Sequence, residues 1–358
     1  MNMTERKYLR PTGFVDAPFG HDGKVARLAG GLLWFSAMEI VGPSGAELVP
    51  LADIKDRLDA LGPDAIAAWR NITAPRAPLT VGQRTVRLDQ PQVAGIVNVT
   101  PDSFADGGRN QDPAAAAQAG HAMAAAGAAM VDVGGESTRP GAKPLWEGDE
   151  LKRVLPVIEQ LARSGTAVSI DTRKAAVMEA ALAAGAGLVN DVSALSYDDR
   201  SAEVVARAGC PVVLMHHKGN PETMQQAPHY DRPVCQEVYD WLEARIEAAV
   251  AAGIHRSRII VDPGIGFGKS VQHNLQLLNG LSMLHGLGCP VMLGASRKRM
   301  IGALAGEAPA DERLAGSIAL ALKGAEQGGQ LLRVHDVPET IQALKVWRGL
   351  RDAALTPA

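Results

Sequence analysis

Residues 93–97 read VAGIV and run into Asn98, and residues 129–133 read AMVDV and run into Gly134. The same grammar returns along the chain: AVSI at 167–170, LV at 188–189 with its neighbours, PVVLM at 211–215, RIIV at 258–261, PVML at 290–293 and LLRV at 331–334. Each run is short and almost wholly aliphatic, which predicts a strand covered on both faces. The stretches between them carry apolar residues at helical spacing, for example Leu151, Val154, Leu155, Ile158 and Leu161, or Val234, Val238, Leu242, Ile246 and Val250. Strand and helix alternating in this way predict an α/β fold with a parallel sheet. Eight such runs fit a (β/α)8 TIM barrel, whereas an open doubly wound sheet more often stops at about five or six strands.

Residues 91–358 are therefore read as the barrel domain, and residues 1–90 as a small N-terminal appendage of unknown role. The appendage has apolar runs of its own and an Ala- and Leu-rich stretch from Leu51 to Trp69, so it is expected to fold. Pro75, Pro78 and Pro91 mark the passage into the barrel. The run from Leu28 to Met38 is too short to cross a bilayer and begins too far along the chain for a secretion signal, which leaves a buried segment of an N-terminal layer. The 358 residues include 36 Lys and Arg against 39 Asp and Glu, and a formal charge of −3 gives no pull toward nucleic acid or an anionic membrane. Apolar residues at 46% with aromatics at only 4% exclude a disordered chain and call for an aliphatic core. Cys210, Cys235 and Cys289 are too few and too scattered for a disulfide framework or a CxxC metal site, so a reducing cytoplasm is the expected compartment.

The strands of a parallel barrel all end on one face, where active sites of this architecture lie. The residues expected there are Asn98, Glu136 after Asp132, Asp171, Asn190 with Asp191, His216, Asp262, Ser296 with Lys298, and Arg333 with His335. Any one of them could simply cap a helix or order a turn. Polar groups at every strand end point instead to a site. Asp171, Asn190 and Asp262 supply acceptors suited to a flat heterocycle with several N–H donors. Arg139, Lys298, Arg333 and His335 suit a phosphate or carboxylate. Asn98, with Asp102 and Asp106 nearby, offers oxygen ligands of the kind Mg²⁺ accepts while keeping several waters.

The segments Thr100–Gln111 and Gly134–Gly148 are long for turns after strands and are lid candidates. Other signals lead away from catalysis. GIGFGKS at 264–270 falls short of a P-loop because Pro263 stands where the first glycine belongs. His216, His217 and His229 have no metal-site spacing and read as core or loop histidines. GASRK around Ser296 lacks the second glycine of a nucleophile elbow, which disfavours covalent serine catalysis.

The series GIVNVTPDSFADGG (95–108), VDVGGESTRPGA (131–142), SIDTRKA (169–175), VNDVSAL (189–195), MHHKGNPETMQ (215–225), VDPGIGFGK (261–269), GASRKRMIG (294–302) and RVHDV (333–337) resembles, in order and at every strand end, the motifs of the dihydropteroate synthase family. The resemblance covers roughly residues 91–345 and leaves the first 90 outside. It implies an enzyme of folate biosynthesis, and a sulfonamide target, that joins 4-aminobenzoate to (7,8-dihydropterin-6-yl)methyl diphosphate and releases diphosphate, with Mg²⁺ as its metal and a homodimer as its assembly. The pterin would then be held by Asp171, Asn190, Asp262 and Lys298 with Arg333 against its face. Asn98, through Mg²⁺, and Arg333 and His335 would receive diphosphate. Phe104, Thr138, Arg139, Pro140, Phe267 and the surroundings of Lys298 would form the aminobenzoate pocket, with Met215 and Arg299 also at the substrates.

Leaving-group departure first is the favoured chemistry, because an electron-rich pterin can spread the charge of the exposed methylene while cations absorb that of diphosphate. Asp106 is the candidate for stabilising that cation, and no dedicated general base is assigned, since an arylamine is already nucleophilic near neutral pH. Two positions depart from the family pattern: Arg299 stands where a small hydroxyl residue is frequent, and His217 where a second Met is frequent. The alternatives are a pterin-binding methyltransferase serving a corrinoid, which has no need of TPDSFADGG, STRPG or SRK, and a catalytically silent pterin-binding paralogue. Retention of Asn98, Asp106, Arg139, Lys298 and His335 speaks against the latter.

Overall fold

The computed structural model describes residues 6–43, 45–100, 112–137, 142, 144–219 and 223–356. The aliphatic runs become the strands of one parallel sheet: β7 (Gln92–Asn98), β8 (Met130–Gly134), β9 (Val168–Asp171), β10 (Leu188–Asp191), β11 (Val212–Met215), β12 (Ile259–Asp262), β13 (Met292–Leu293) and β14 (Leu331–Val334). Their order is β12-β11-β10-β9-β8-β7-β14-β13, and a parallel bridge between Val261 and Val291 brings the two ends together. Residue alternation puts Val131 and Val133 under the outer helices and Met130 and Asp132 inside. The helices are α3 (Pro113–Ala125), α4 (Glu147–Arg163), α5 (Ala175–Ala183), α6 (Ser201–Ala208), α7 (Val234–Ala251), α8 (Val271–Asn279), α9 (Arg299–Leu304), α10 (Leu314–Glu326) and α11 (Val337–Ala354). Val154, Ile158 and Leu161 of the expected α4 stripe are fully buried, joined by Val157, while Leu151 and Leu155 are half-buried at its edge. Ser270, the last residue of the P-loop-like run, instead caps α8, its side chain accepting from the His273 N–H at 3.1 Å.

The N-terminal layer is a folded unit. Strands β1 (Tyr8–Val15), β2 (Ala26–Arg27), β3 (Trp34–Gly42) and β4 (Gly45–Pro50) form an antiparallel sheet, followed by helices α1 (Ile54–Leu61) and α2 (Pro63–Thr73). Phe35, Met38 and Ile72 are fully buried in its core, so the Leu28–Met38 run is an inner segment of this layer. The layer docks on the 3-10 turn Leu281–Leu287, every residue of which is buried. Ser282 Oγ donates to the Pro11 carbonyl at 2.8 Å and Asn71 Nδ2 to the Gly286 carbonyl at 2.8 Å.

A hairpin, β5 (Leu79–Val81) with β6 (Arg84–Val86), follows. Its Leu79, Val81 and Val86, with Leu88, pack against Ala94, Met130, Ala167, Leu188, Val213, Ile260, Met292 and Leu331, the lowest inward residues of the eight barrel strands. The hairpin therefore floors the barrel and leaves its other end as the mouth.

Candidate active site

Side chains alternate along a strand, so each inward floor residue fixes which residues face the interior above it. Two positions on from the floor stand Ile96, Asp132, Ser169, Asn190, Met215, Asp262, Gly294 and Arg333; another two on stand Asn98, Gly134, Asp171, Ser296 and His335. Floor and polar layer are thus one parity rule read at successive heights.

Arg333 ties the polar layer together. Its Nε donates to Asp132 Oδ2 at 2.5 Å and its Nη2 to Asp171 Oδ2 at 2.6 Å. Asn190 Nδ2 donates to the same Asp132 oxygen at 3.1 Å, which leaves the Asn190 carbonyl as an acceptor. The other oxygen, Asp132 Oδ1, is buried and has no protein hydrogen-bond partner. Burial pushes Asp171 above the usual carboxylate range, against the pull of Arg333, and pushes Asp262 up against the pull of Lys298. Gly294 leaves open the space between Asp262 and Arg333: a side chain there would begin 3.6 Å from Asp262 Oδ2 and 3.8 Å from Arg333 Cβ. Buried acceptors lacking donors are costly, and a ring edge carrying N–H groups would relieve that cost.

The loop after β12 forms one wall. Asp262 Oδ1 accepts from the Gly264 N–H at 2.6 Å, and Lys298 donates to the Ile265 carbonyl while its ammonium lies 4.6 Å from the Phe267 ring centre. Burial, with Arg333 adding repulsion, pushes Lys298 down to about 8 although Asp262 pulls the other way. Under this loop Lys269 is 3% exposed and reaches His216 Nδ1 at 2.8 Å and the carbonyls of Gly264 and Phe267 at 2.9 and 3.0 Å. Ser296 Oγ accepts from the His335 N–H at 3.2 Å and lies 3.0 Å from His335 Nδ1, which fixes that ring at the mouth.

Asn98, Asp171, Asn190, Met215, Asp262, Lys298, Arg333 and His335 thus converge, with Phe267 on the wall. Arg299 is exposed at the start of α9. Phe104, Asp106, Thr138, Arg139 and Pro140 lie outside the described residues. Three members of the strand-end set serve structure instead. Glu136 pairs with Arg173 and Lys174, each at 3.0 Å, and accepts from the Leu145 N–H at 2.8 Å. Asp191 accepts from the backbone of Ser193 and Leu195, ordering its own turn. His216 is buried against Lys269 and lies edge-on to Trp241, ring centres 4.9 Å apart. Sequence reasoning passed over Asp132 and Lys269 as site components. The signal for Asp132 was available: a carboxylate in the middle of an apolar strand, on the floor's parity, is expensive without a purpose.

The sequence profile of the family described as pterin binding enzyme matches residues 94–335. The dihydropteroate synthase of Escherichia coli strain K12 is 45% identical over 260 residues, covering 72% of this chain and 91% of its own. The Yersinia pestis dihydropteroate synthase, solved as a sulfonamide drug complex, superposes with a TM-score of 0.74 at 45% identity over 77% of this chain and 100% of its own. The Xanthomonas albilineans enzyme, solved with 4-aminobenzoic acid, gives 0.71 at 50% identity over 76% and 98%, and the same enzyme has been solved with 7,8-dihydropteroate. The chain belongs to the pterin-binding enzyme family and, within it, to the dihydropteroate synthases, transferases of folate biosynthesis.

Proposed function

We propose that the mouth condenses (7,8-dihydropterin-6-yl)methyl diphosphate with 4-aminobenzoate, giving 7,8-dihydropteroate and diphosphate. The observation that carries this reading is the buried acceptor cradle of Asp132, Asn190, Asp171 and Asp262, arranged about Arg333 with Asp132 Oδ1 unsatisfied. A pterin edge presents the N–H donors that such a cradle lacks. Lys298 supplies a positive donor beside Asp262, and Phe267 an apolar wall for the aromatic amine. Arg333 and His335 face the departing diphosphate, with their charge and donors placed where its charge develops. Asp106 steadies the methylene cation, and Phe104, Thr138, Arg139 and Pro140 complete the aminobenzoate pocket, with Arg299 at its rim and Met215 under the pterin. Incubating the protein with both substrates and Mg²⁺ and detecting dihydropteroate by mass tests the reading. Methyl transfer to a corrinoid in place of that product would overturn it.

Asn98 stands at the last position of β7, half-buried, with Gly134 as its parallel neighbour. No cluster of three or more His, Cys, Asp or Glu ligands exists among the described residues, so a single neutral amide oxygen is what the strand offers. That fits Mg²⁺ in its water-rich, phosphate-bridging mode and not an all-protein cage. Bound there, Mg²⁺ would neutralise charge on the leaving diphosphate. Asn98→Ala is expected to raise the Mg²⁺ concentration for half-maximal turnover about tenfold, checked by Mg²⁺ titration; an unchanged midpoint would remove Asn98 from the metal.

The pH dependence of the pterin half-reaction follows from Lys298. An ammonium whose pKa is lowered is charged below that value and lost above it. Thus kcat/KM for the pterin diphosphate is expected to fall as pH rises through about 8. In Lys298→Met that limb is expected to vanish with the bulk of the activity, and a wild-type limb near the ordinary lysine value would contradict the assignment.

No described helix is long and apolar enough to cross a membrane. We assign the enzyme to the cytoplasm, in keeping with its free Cys210, Cys235 and Cys289. We propose a homodimer as its assembly.

A further inference from the structure

The solved Yersinia relative is covered completely by 77% of this chain, and the family profile begins at residue 94. The N-terminal sheet and its two helices therefore need a role of their own. Much of this layer's bonding to the barrel lands on the turn at 281–287 and on α11, away from the mouth. One cluster does not. Tyr8 donates to Asp240 Oδ2 at 2.8 Å and accepts from Arg232 Nη1 at 3.2 Å, while Arg232 Nη2 donates to the same Asp240 oxygen at 2.7 Å. Arg6 reaches Asp240 at 3.0 Å and grips Glu243 with both terminal nitrogens, and the Tyr8 ring stands edge-on to Tyr239 at 5.4 Å. Burial and Asp240 push the Tyr8 hydroxyl up to about 12, so it stays a donor across the working range.

Arg232 lies near the end of the loop that runs from β11 to α7, and the described residues of this loop are fitted to the wall of the site. Two residues before Arg232, the Tyr230 hydroxyl donates to the Gly268 carbonyl at 3.0 Å, and Gln225 donates to the Gly266 carbonyl. Backbone meets backbone as well. A Cβ on Gly264 would lie 1.8 Å from the His216 carbonyl oxygen, and one on Gly268 2.1 Å from that of Lys218. Lys269 then bonds His216 to the Gly264 and Phe267 carbonyls. The path from Tyr8 to Phe267 thus consists of direct contacts, whereas Asp132, Asp171, Asn190 and Arg333 sit on barrel strands and bond to one another rather than to this loop.

We propose that Tyr8 and Arg6 of the N-terminal layer are positioning residues for the aminobenzoate half of the site, acting through the β11–α7 loop on Phe267. This rests on the reading of the mouth given above. Deleting the layer would expose Leu281, Met283, Leu284 and Leu287 and would not be a clean test, so the experiment uses the full chain. In the variant Arg6→Ala/Tyr8→Phe, KM for 4-aminobenzoate is expected to rise about fivefold, with kcat and pterin KM within about twofold of wild type. Arg232→Ala is expected to do the same, and the triple variant to add little to either. Ser282→Ala, which cuts a layer-to-barrel bond elsewhere, is expected to leave both KM values unchanged. If the double variant does not accumulate, Tyr8→Phe alone keeps the ring on Tyr239 and is read in the same way. An unchanged aminobenzoate KM, a fall in kcat alone, or an equal shift in Ser282→Ala overturns the proposal. A wild-type enzyme that forms no dihydropteroate would sink the underlying reading instead.

Discussion

Arg333→Leu is expected to cost turnover at least about a thousandfold and stability about 3–5 kcal/mol. The guanidinium is the shared partner of Asp132 and Asp171, at 2.5 and 2.6 Å, and the Asp132 side chain is only 3% exposed. Without it Asp132 and Asp171 lose their shared ion-pair partner in the barrel interior, and breaking a buried pair from one side is far costlier than replacing both members. Denaturant unfolding and initial rates check the two effects separately. Adding Asp132→Asn to Arg333→Leu removes one stranded charge and is expected to restore part of the stability and none of the activity. An Arg333→Leu enzyme as stable as wild type would show that the polar layer is not held together by this residue.

The second large effect is expected from Gly264→Ala. The position has φ +64°, a conformation that side chains disfavour, and the added methyl would fall on the His216 carbonyl oxygen. The loop cannot stay where it is, and Phe267 and the acceptor of Lys298, the Ile265 carbonyl, move with it. Displacements of about 1 Å at a positioning element cost on the order of a hundredfold in rate. Turnover is therefore expected to fall by about that factor, while the strand-borne acceptors keep much of the pterin affinity. Steady-state rates together with pterin titration check this; kinetics close to wild type would mean that the two loops are not coupled.

The barrel was legible because its strands are buried on both faces and so stand out as apolar runs, even where β13 is reduced to Met292 and Leu293. Convergence of the strand-end residues followed from topology alone, and Asn98, Asp171, Asn190, Asp262, Arg333 and His335 stand together as the parity rule demands. The rule also catches Asp132, which strand-end reasoning passes over because it sits mid-strand. Glu136 and Asp191 show the opposite failure, since a carboxylate that orders a turn and one that meets a substrate look alike in sequence. The floor hairpin was hidden because strands as short as Leu79–Val81 and Arg84–Val86 carry too little periodicity to register. Long-range placements such as Tyr8 on Arg232 have no local signature at all.

The measurement that bears most directly on the account is calorimetric titration of a non-reactive pterin into the wild type, Asp171→Ala and Asp262→Ala. Saturable one-to-one binding by the wild type is expected, with affinity losses of about a hundredfold or more in each variant, because unpaired buried donors on the ligand would replace charged hydrogen bonds. Undiminished binding by both variants would place the pterin elsewhere and contradict it.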